Sequence, residues 1–493
     1  MIQKRPGRCS EMIRHNGFLP LLFTSLLALL LNTALQGQPA RLAEDWKKDP
    51  SLRQAAIGFC VMDARSSEVV SEYNPEQFLI PASTMKVVST SAALQLLGAG
   101  YRYETRLYFT GEFNIRDGIL HGDLIILGSG DPSLQSEHLS KDKSSVTDDW
   151  ARILKDKGLK EIRGQIIGDA SGFDRQVPAN WIWEDISNYF GAVPCGLSYR
   201  DNKFKVRFTT GEPGSKARIT GYSPSYLQQS YTVTADVSCQ GKEDQAYAYG
   251  DPFSFTREIR GSLPPNRSGY EIELALPDPA LLCAEELYTS LIAAGIQCKQ
   301  GSARSRYERT ESSTPRQVVH THYSPSLDKI IYVTNIKSNN HYSESLLMSL
   351  GKGQAAAGLK AVKSFWSQRG LDTSGLFMKD ASGLGRINTL TPAFQARLLC
   401  KVYRDSSLYK AFNSSLPLAG KQGSMNSIGR GTFIENNLRA KTGYLNRARA
   451  YCGYVTTRSG RTLAFSLIFN HYNCSPREAR LKMEKFMIAL ADL

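Results

Sequence analysis

Residues 436–470, NNLRAKTGYLNRARAYCGYVTTRSGRTLAFSLIFN, restrict the fold more than any other stretch of this chain. Apolar and polar positions alternate there in three runs, the period that turns every second side chain to one face of a strand. Two of the runs meet around the turn-prone Arg458, Ser459 and Gly460. The closing segment, SPREARLKMEKFMIALADL, has helical periodicity, with Ser475 as N-cap and Pro476 at the first helical position. Antiparallel strands closed by an amphipathic helix predict an α+β layer.

A chain of 493 residues is too long for one core, and its length predicts about three domains. Near the start, QAAIGFCVMDARSSEVVSEYNPEQFLI holds two alternating runs around a turn at residues 63–67, the pattern of a hairpin. A helix is expected over 83–97, ended by Gly98 and Gly100. Alternation resumes after residue 104, and 198–276 is strand-rich. A helix over 281–294 and a strand at 296–300 follow, then a polar, turn-rich edge at 301–317. Three helical patterns come next, at 327–336, 338–351 and 355–369. The expected organisation is therefore a signal peptide at 1–37, a first part of the α+β domain at 38–103, an inserted region of two nested β-rich domains at 104–317, and the second part of that domain at 318–493.

Residues 1–37 carry Lys4, Arg5, Arg8 and Arg14, then the apolar run 18–31, then small and polar residues. That order predicts a secretory signal peptide cleaved near Gly37, and so a periplasmic or other extracytoplasmic protein. Its removal takes away four cations and Glu11, lowering the formal net charge from +14 to about +11. The basic residues are dispersed, so no nucleic-acid partner is expected. Outside the inner membrane the polyanions are wall polymers, acidic peptides and lipid head groups, which leaves a peripheral membrane contact open. Eight cysteines follow the signal without a Cys-x-x-Cys pair, and most are expected to be buried thiols.

Ser83 and Lys86 stand three apart at the start of an apolar helical run, behind Pro81. That spacing brings an amine to a hydroxyl, and a lysine freed of its charge can act as base for a serine nucleophile. The same Ser-x-x-Lys pattern begins at Ser140, Ser326 and Ser407, but only Ser83 is flanked on both sides by runs that would bury it, 78–80 and 87–88. Ser338 and Asn340 put a hydroxyl and an amide at a helix entry, where a simple N-cap is the commoner meaning. A second Ser-x-Asn, Ser424 to Asn426, falls in a Gly-rich loop and is discounted. Lys441, Thr442 and Gly443 occur inside a predicted strand. If that strand is an edge it can pair with an extended peptide, with Gly443 allowing close approach, Thr442 facing an anionic terminus, and the Tyr444 N–H as an oxyanion donor. Lys441 would also help depress the pKa of Lys86.

In this order the three motifs resemble those of the penicillin-binding proteins and serine β-lactamases. The long gap between the first two is similar to the D-alanyl-D-alanine carboxypeptidase/endopeptidase group of the penicillin-binding protein 4 type, peptidase family S13. The stretches FLIPASTMKVVSTSAALQLLGAGYRYET, LHGDLIILGSGDPSL, KSNNHYSESLL, KDASGLGRINTLTP and RAKTGYLNRARAYCGYV share that likeness. The resemblance implies an α+β, penicilloyl-serine transferase-like domain, an antiparallel sheet flanked by helices, with a large β-rich insertion. It implies acylation of Ser83 by the penultimate D-alanine carbonyl with Lys86 as base, and a proton relay through Ser338 to the leaving D-alanine. Asn340 would hold the peptide amide, Lys441 and Thr442 the terminal carboxylate, and Arg386 would lie near the substrate. Peptidoglycan stem peptides and β-lactam antibiotics are the implied ligands, with no cofactor. Tyr444 departs from the usual serine or threonine, and Arg447 and Arg449 bring extra charge.

Other chemistries fit less well. His320, His322 and His341 lack the His-Glu-x-x-His pattern of a metallopeptidase, so no metal is expected, and no Gly-x-Ser-x-Gly elbow occurs. The remaining alternative is a catalytically silent peptidoglycan-binding protein of the same fold, which would have no chemical need for both lysines and the relay serine.

Overall fold

The structure, a computed structural model, describes residues 37–139, 145–178, 180–309 and 316–493. The predicted signal peptide lies outside the described residues but for Gly37, which opens the helix Gly37–Lys48, and Ser140 also lies outside them. Among the described residues no helix is long and apolar enough to cross a membrane.

Both ends of the chain build one five-stranded antiparallel sheet. Its strands are β1 (Ala56–Asp63), β2 (Val69–Tyr73), β3 (Arg439–Leu445), β4 (Ala448–Thr456) and β5 (Thr462–Asn470), in the order β2-β1-β5-β4-β3. β1 meets β5 over its whole length, from Ala56 opposite Asn470 to Asp63 opposite Leu463. The strands are apolar on both faces because both faces are covered. Phe59, Val61, Tyr451, Leu467 and Phe469 pack with Trp46 and with Met483 and Phe486 of the terminal helix. Cys60, Met62, Ala450, Cys452 and Ile468 turn the other way, onto the central helices. The terminal helix, Pro476–Ala489, starts as expected, with Ser475 and Glu478 forming a reciprocal capping box.

The helix expected at 83–97 has two parts. A 3-10 turn, Ala82–Met85, leads into α1, Lys86–Leu97. Residues 86–94 of α1 are all buried, since the helix runs through the middle of the helical layer. Phe78, expected to help bury this region, is 50% exposed, and Leu79 does so instead. Two further helices matter for the site: α2, Asn340–Leu350, and α3, Pro392–Arg404.

Between the two ends the chain forms further sheets around a separate core. One is a five-stranded mixed sheet in which Glu104–Thr110 lies antiparallel to Arg316–Tyr323, so the chain leaves and re-enters the layer built from its two ends side by side. The strand-rich reading of 198–276 matches two three-stranded sheets, and the helix Pro279–Ala293 follows them. All eight cysteines of the described residues are unpaired, and six are buried.

Candidate active site

Ser83 lies in the 3-10 turn and Lys86 begins α1. In a 3-10 turn positions three apart eclipse, so the two side chains stand over one another. Lys86 Nζ is 2.9 Å from Ser83 Oγ. The turn is entered through Ala82, a fully buried non-glycine residue at φ +46°, a left-handed conformation that costs an alanine about 1 kcal/mol and is held by its surroundings.

Two more groups close on the lysine. Its Nζ lies 2.6 Å from Asn340 Oδ1 and 2.8 Å from the Ser382 carbonyl oxygen. The Asn340 amide is held at both ends, because its Nδ2 donates to the Phe190 carbonyl at 2.8 Å. Lys86 is fully buried, and its pKa falls well below 10.5, first through loss of hydration and then through the neighbouring Lys441 charge. Glu344 and Asp380 oppose that shift. A neutral amine has two hydrogens and one lone pair. With both hydrogens directed at the Asn340 and Ser382 oxygens, the lone pair is left for the Ser83 hydroxyl, the arrangement a general base needs.

Ser338 does not cap α2. Asn339 does, accepting from the Tyr342 N–H at 3.1 Å, while Ser338 sits at φ +57°. This frees Ser338 Oγ to accept from Lys441 Nζ at 2.8 Å. Burial brings Lys441 down to a pKa of about 7. Thr442 Oγ1 lies 2.6 Å from Ser424 Oγ, so the discounted Ser-x-Asn loop reaches the site after all. Hydrophobic pattern could not show this, because the contact depends on how the loop 423–426 folds back along the outer edge of β3.

β3 is the edge strand of its sheet, as the pairing of an extended peptide requires. Gly443, however, makes room for something other than substrate. A Cβ there would stand 2.4 Å from the Pro81 carbonyl oxygen and 3.1 Å from both Ala82 Cβ and Ser83 N. The glycine lets the strand touch the turn that carries Ser83. Arg386 pairs with Asp185 at 3.1 Å. Of the two extra arginines, Arg447 bonds the His471 and Tyr472 carbonyls, and Arg449 lies over the Tyr444 ring at 4.9 Å. Arg449 also donates to the Tyr451 hydroxyl at 3.1 Å.

A cleft of about 920 Å³ gathers Ser83, Ser338, Asn340, Arg386 and Tyr444, with Asp185, Phe190 and Tyr247 from the intervening region on its other wall. His320 and His322 lie on the strand Arg316–Tyr323, and His341 is buried in α2 with neither ring nitrogen bonded. Among the described residues one group, Glu137, His138 and Asp201, brings three ligand atoms within 4.8 Å of one another. Lys203 already occupies Glu137 at 2.6 Å.

A half-buried serine over a buried lysine, a second serine–lysine pair beside it and an edge strand thus meet around one cleft of an α+β fold. Residues 39–490 match the D-Ala-D-Ala carboxypeptidase 3 (S13) family, and the chain belongs to that family. It is 27% identical over 448 residues to a D-alanyl-D-alanine carboxypeptidase of Actinomadura sp. (strain R39), covering 86% of this chain and 80% of that one. It is 25% identical over 443 residues to the D-alanyl-D-alanine carboxypeptidase DacB of Haemophilus influenzae, covering 86% and 88%. The fold is similar to the crystal structure of penicillin binding protein 4 from Haemophilus influenzae, with a TM-score of 0.76 at 22% identity, covering 91% of this chain and 99% of that one.

Proposed function

We propose that this serine D-Ala-D-Ala carboxypeptidase works through an acyl-enzyme on Ser83, on the stem peptides of peptidoglycan. Ser83 Oγ attacks the carbonyl of the penultimate D-alanine while its proton passes to Lys86 Nζ. The oxyanion is met by the backbone N–H groups of Ser83 and Tyr444. The C–N bond then breaks, and the departing D-alanine amine takes a proton from Lys86 by way of Ser338. Water hydrolyses the ester and restores the free serine. Lys441 and Thr442 bind the terminal carboxylate, with Ser424 orienting the threonine. Asn340, engaged at both ends of its amide, acts chiefly on Lys86, and Arg386 borders the substrate in the cleft. Residues 38–103 and 318–493 form the catalytic unit, and 104–317 supply the far wall of the cleft.

The observation that carries this reading is the surroundings of Lys86 Nζ: two carbonyl-type oxygens at 2.6 and 2.8 Å and the Ser83 hydroxyl at 2.9 Å, in full burial. β-Lactams present a strained amide to the same nucleophile, so a labelled penicillin is expected to attach covalently to the wild-type chain and not to Ser83→Ala. An unlabelled wild type, or equal labelling of the variant, refutes the acyl-enzyme. Action outside the inner membrane belongs to the same reading and is supported by the order of charged, apolar and small residues in 1–37. Cell fractionation would test it.

A further inference from the structure

We infer that Glu344 is a positioning residue for acylation, which sets the lone pair of Lys86 toward Ser83 by way of the Ser382 carbonyl. The inference rests on the acyl-enzyme reading above. Glu344 is four residues beyond Asn340, so both project from the same side of α2. Its carboxylate is 2% exposed and takes the Ser382 N–H at 2.7 Å and the Ala381 N–H at 3.1 and 3.2 Å. The carbonyl of that same Ser382 accepts from Lys86 Nζ at 2.8 Å. One helix therefore fixes both acceptors of the amine: Asn340 directly, and Ser382 through Glu344.

The loop that carries Ser382 has little slack. Asp380 takes the Gly383 N–H at 2.7 Å and the Gly385 N–H at 2.8 Å. A Cβ on Gly383 would lie 1.9 Å from the Ala82 carbonyl oxygen, so the loop rests on the nucleophile turn itself. Glu344 holds the two peptide units before the Ser382 Cα and Asp380 the unit after it, which bears the carbonyl; loss of the Glu344 bonds would let the Ser382 Cα shift and carry that carbonyl with it, weakening its hold on the amine and turning the lone pair away from Ser83. The charged groups around Glu344 are Asp380 in the loop and Lys86 at the start of α1, with Lys441 beyond Lys86.

Two conservative variants separate reach from charge. Glu344→Asp keeps the charge but withdraws the carboxylate by roughly 1.5 Å, one C–C bond. Glu344→Gln keeps an acceptor oxygen in place and removes the charge. With a fluorescent penicillin, the acylation rate constant of Glu344→Asp is expected to fall about 100-fold at an unchanged encounter constant, as a 1 Å misplacement would cause. Glu344→Gln should stay within about tenfold of wild type, one unit of 1.4 kcal/mol. Circular dichroism and melting curves verify folding. Should the Asp variant not fold, Glu344→Met, similar in volume and without an acceptor, is expected to show the same loss. Wild-type acylation in the Asp or Met variant, a loss confined to the encounter constant, or a Gln variant as slow as the Asp variant overturns the positioning role alone. A wild-type chain that takes no penicillin overturns the acyl-enzyme and this inference together.

Discussion

Replacing Gly443 by alanine tests whether the edge strand and the nucleophile turn act as one unit. The added methyl would stand 2.4 Å from the Pro81 carbonyl oxygen, whereas atoms in contact prefer about 3.5 Å, so a gap of about 1 Å has to open. The other neighbours, Ala82 Cβ and Ser83 N at 3.1 Å, cannot swing aside, because they are backbone or the shortest of side chains. β3 and the turn must therefore separate. Overpacking of this kind costs about 1–3 kcal/mol of stability. A displacement of 1 Å at the reacting groups costs about 100-fold in rate. Stopped-flow acylation by a fluorescent penicillin, with a melting curve alongside, reads both effects. A Gly443→Ala protein that melts like wild type and acylates within a few-fold of it would show that the strand and turn are not rigidly coupled.

Lys441→Met should stabilise the fold while abolishing turnover. Burial holds Lys441 at a pKa of about 7 against an ordinary 10.5, so the cost of its buried charge is complete below pH 7 and fades as pH rises to 10.5. Wild type is expected to gain up to about 1.4 kcal/mol per pH unit across that window, and the advantage of the Met variant to shrink accordingly. Melting curves from pH 6 to 10 check this, and a difference independent of pH would contradict it. Asn340→Ala removes one acceptor from Lys86 and strands the Phe190 carbonyl. Its acylation rate should drop by about 100-fold, and an unchanged rate would remove Asn340 from the chemistry. Ser424→Ala deletes the 2.6 Å partner of Thr442 and should raise KM for a D-Ala-D-Ala peptide by roughly tenfold, the worth of about 1 kcal/mol or slightly more, with kcat nearly unchanged. A fall in kcat alone would assign Ser424 a different part.

Secondary structure was legible where the period was strong and local. The three C-terminal strands and the capped helix lie where alternation, Arg458–Gly460 and Ser475 put them, because each signal resides within a few neighbouring residues. The three motifs likewise are short spacings, readable without the fold. What spacing could not convey is who touches whom across the fold. Asn340, expected to hold the peptide amide, lines the cleft and also meets Lys86, 254 positions away in the chain. Ser338, expected from the resemblance to be a relay serine although the lone motif more often marks a cap, leaves the cap to Asn339 and meets Lys441. Gly443 looked like room for a peptide, and its room is filled by the Pro81 carbonyl. Glu344 and Asp380 gave no signal, because an acidic residue in a helix or loop is ordinarily a solvated one, and only the folded loop shows that both are buried.

The pairing of Ile57 with Phe469 joins strands separated by about 400 residues of synthesis, roughly twenty to eighty seconds of waiting at usual elongation speeds. Until β5 arrives, the open flank of AIGFCVMD is a bare, sticky ribbon. A nascent or truncated polypeptide is therefore vulnerable, and it also lacks the Lys441 strand, which is likewise among the last to be made. The first hairpin thus stays half-paired until the tail emerges.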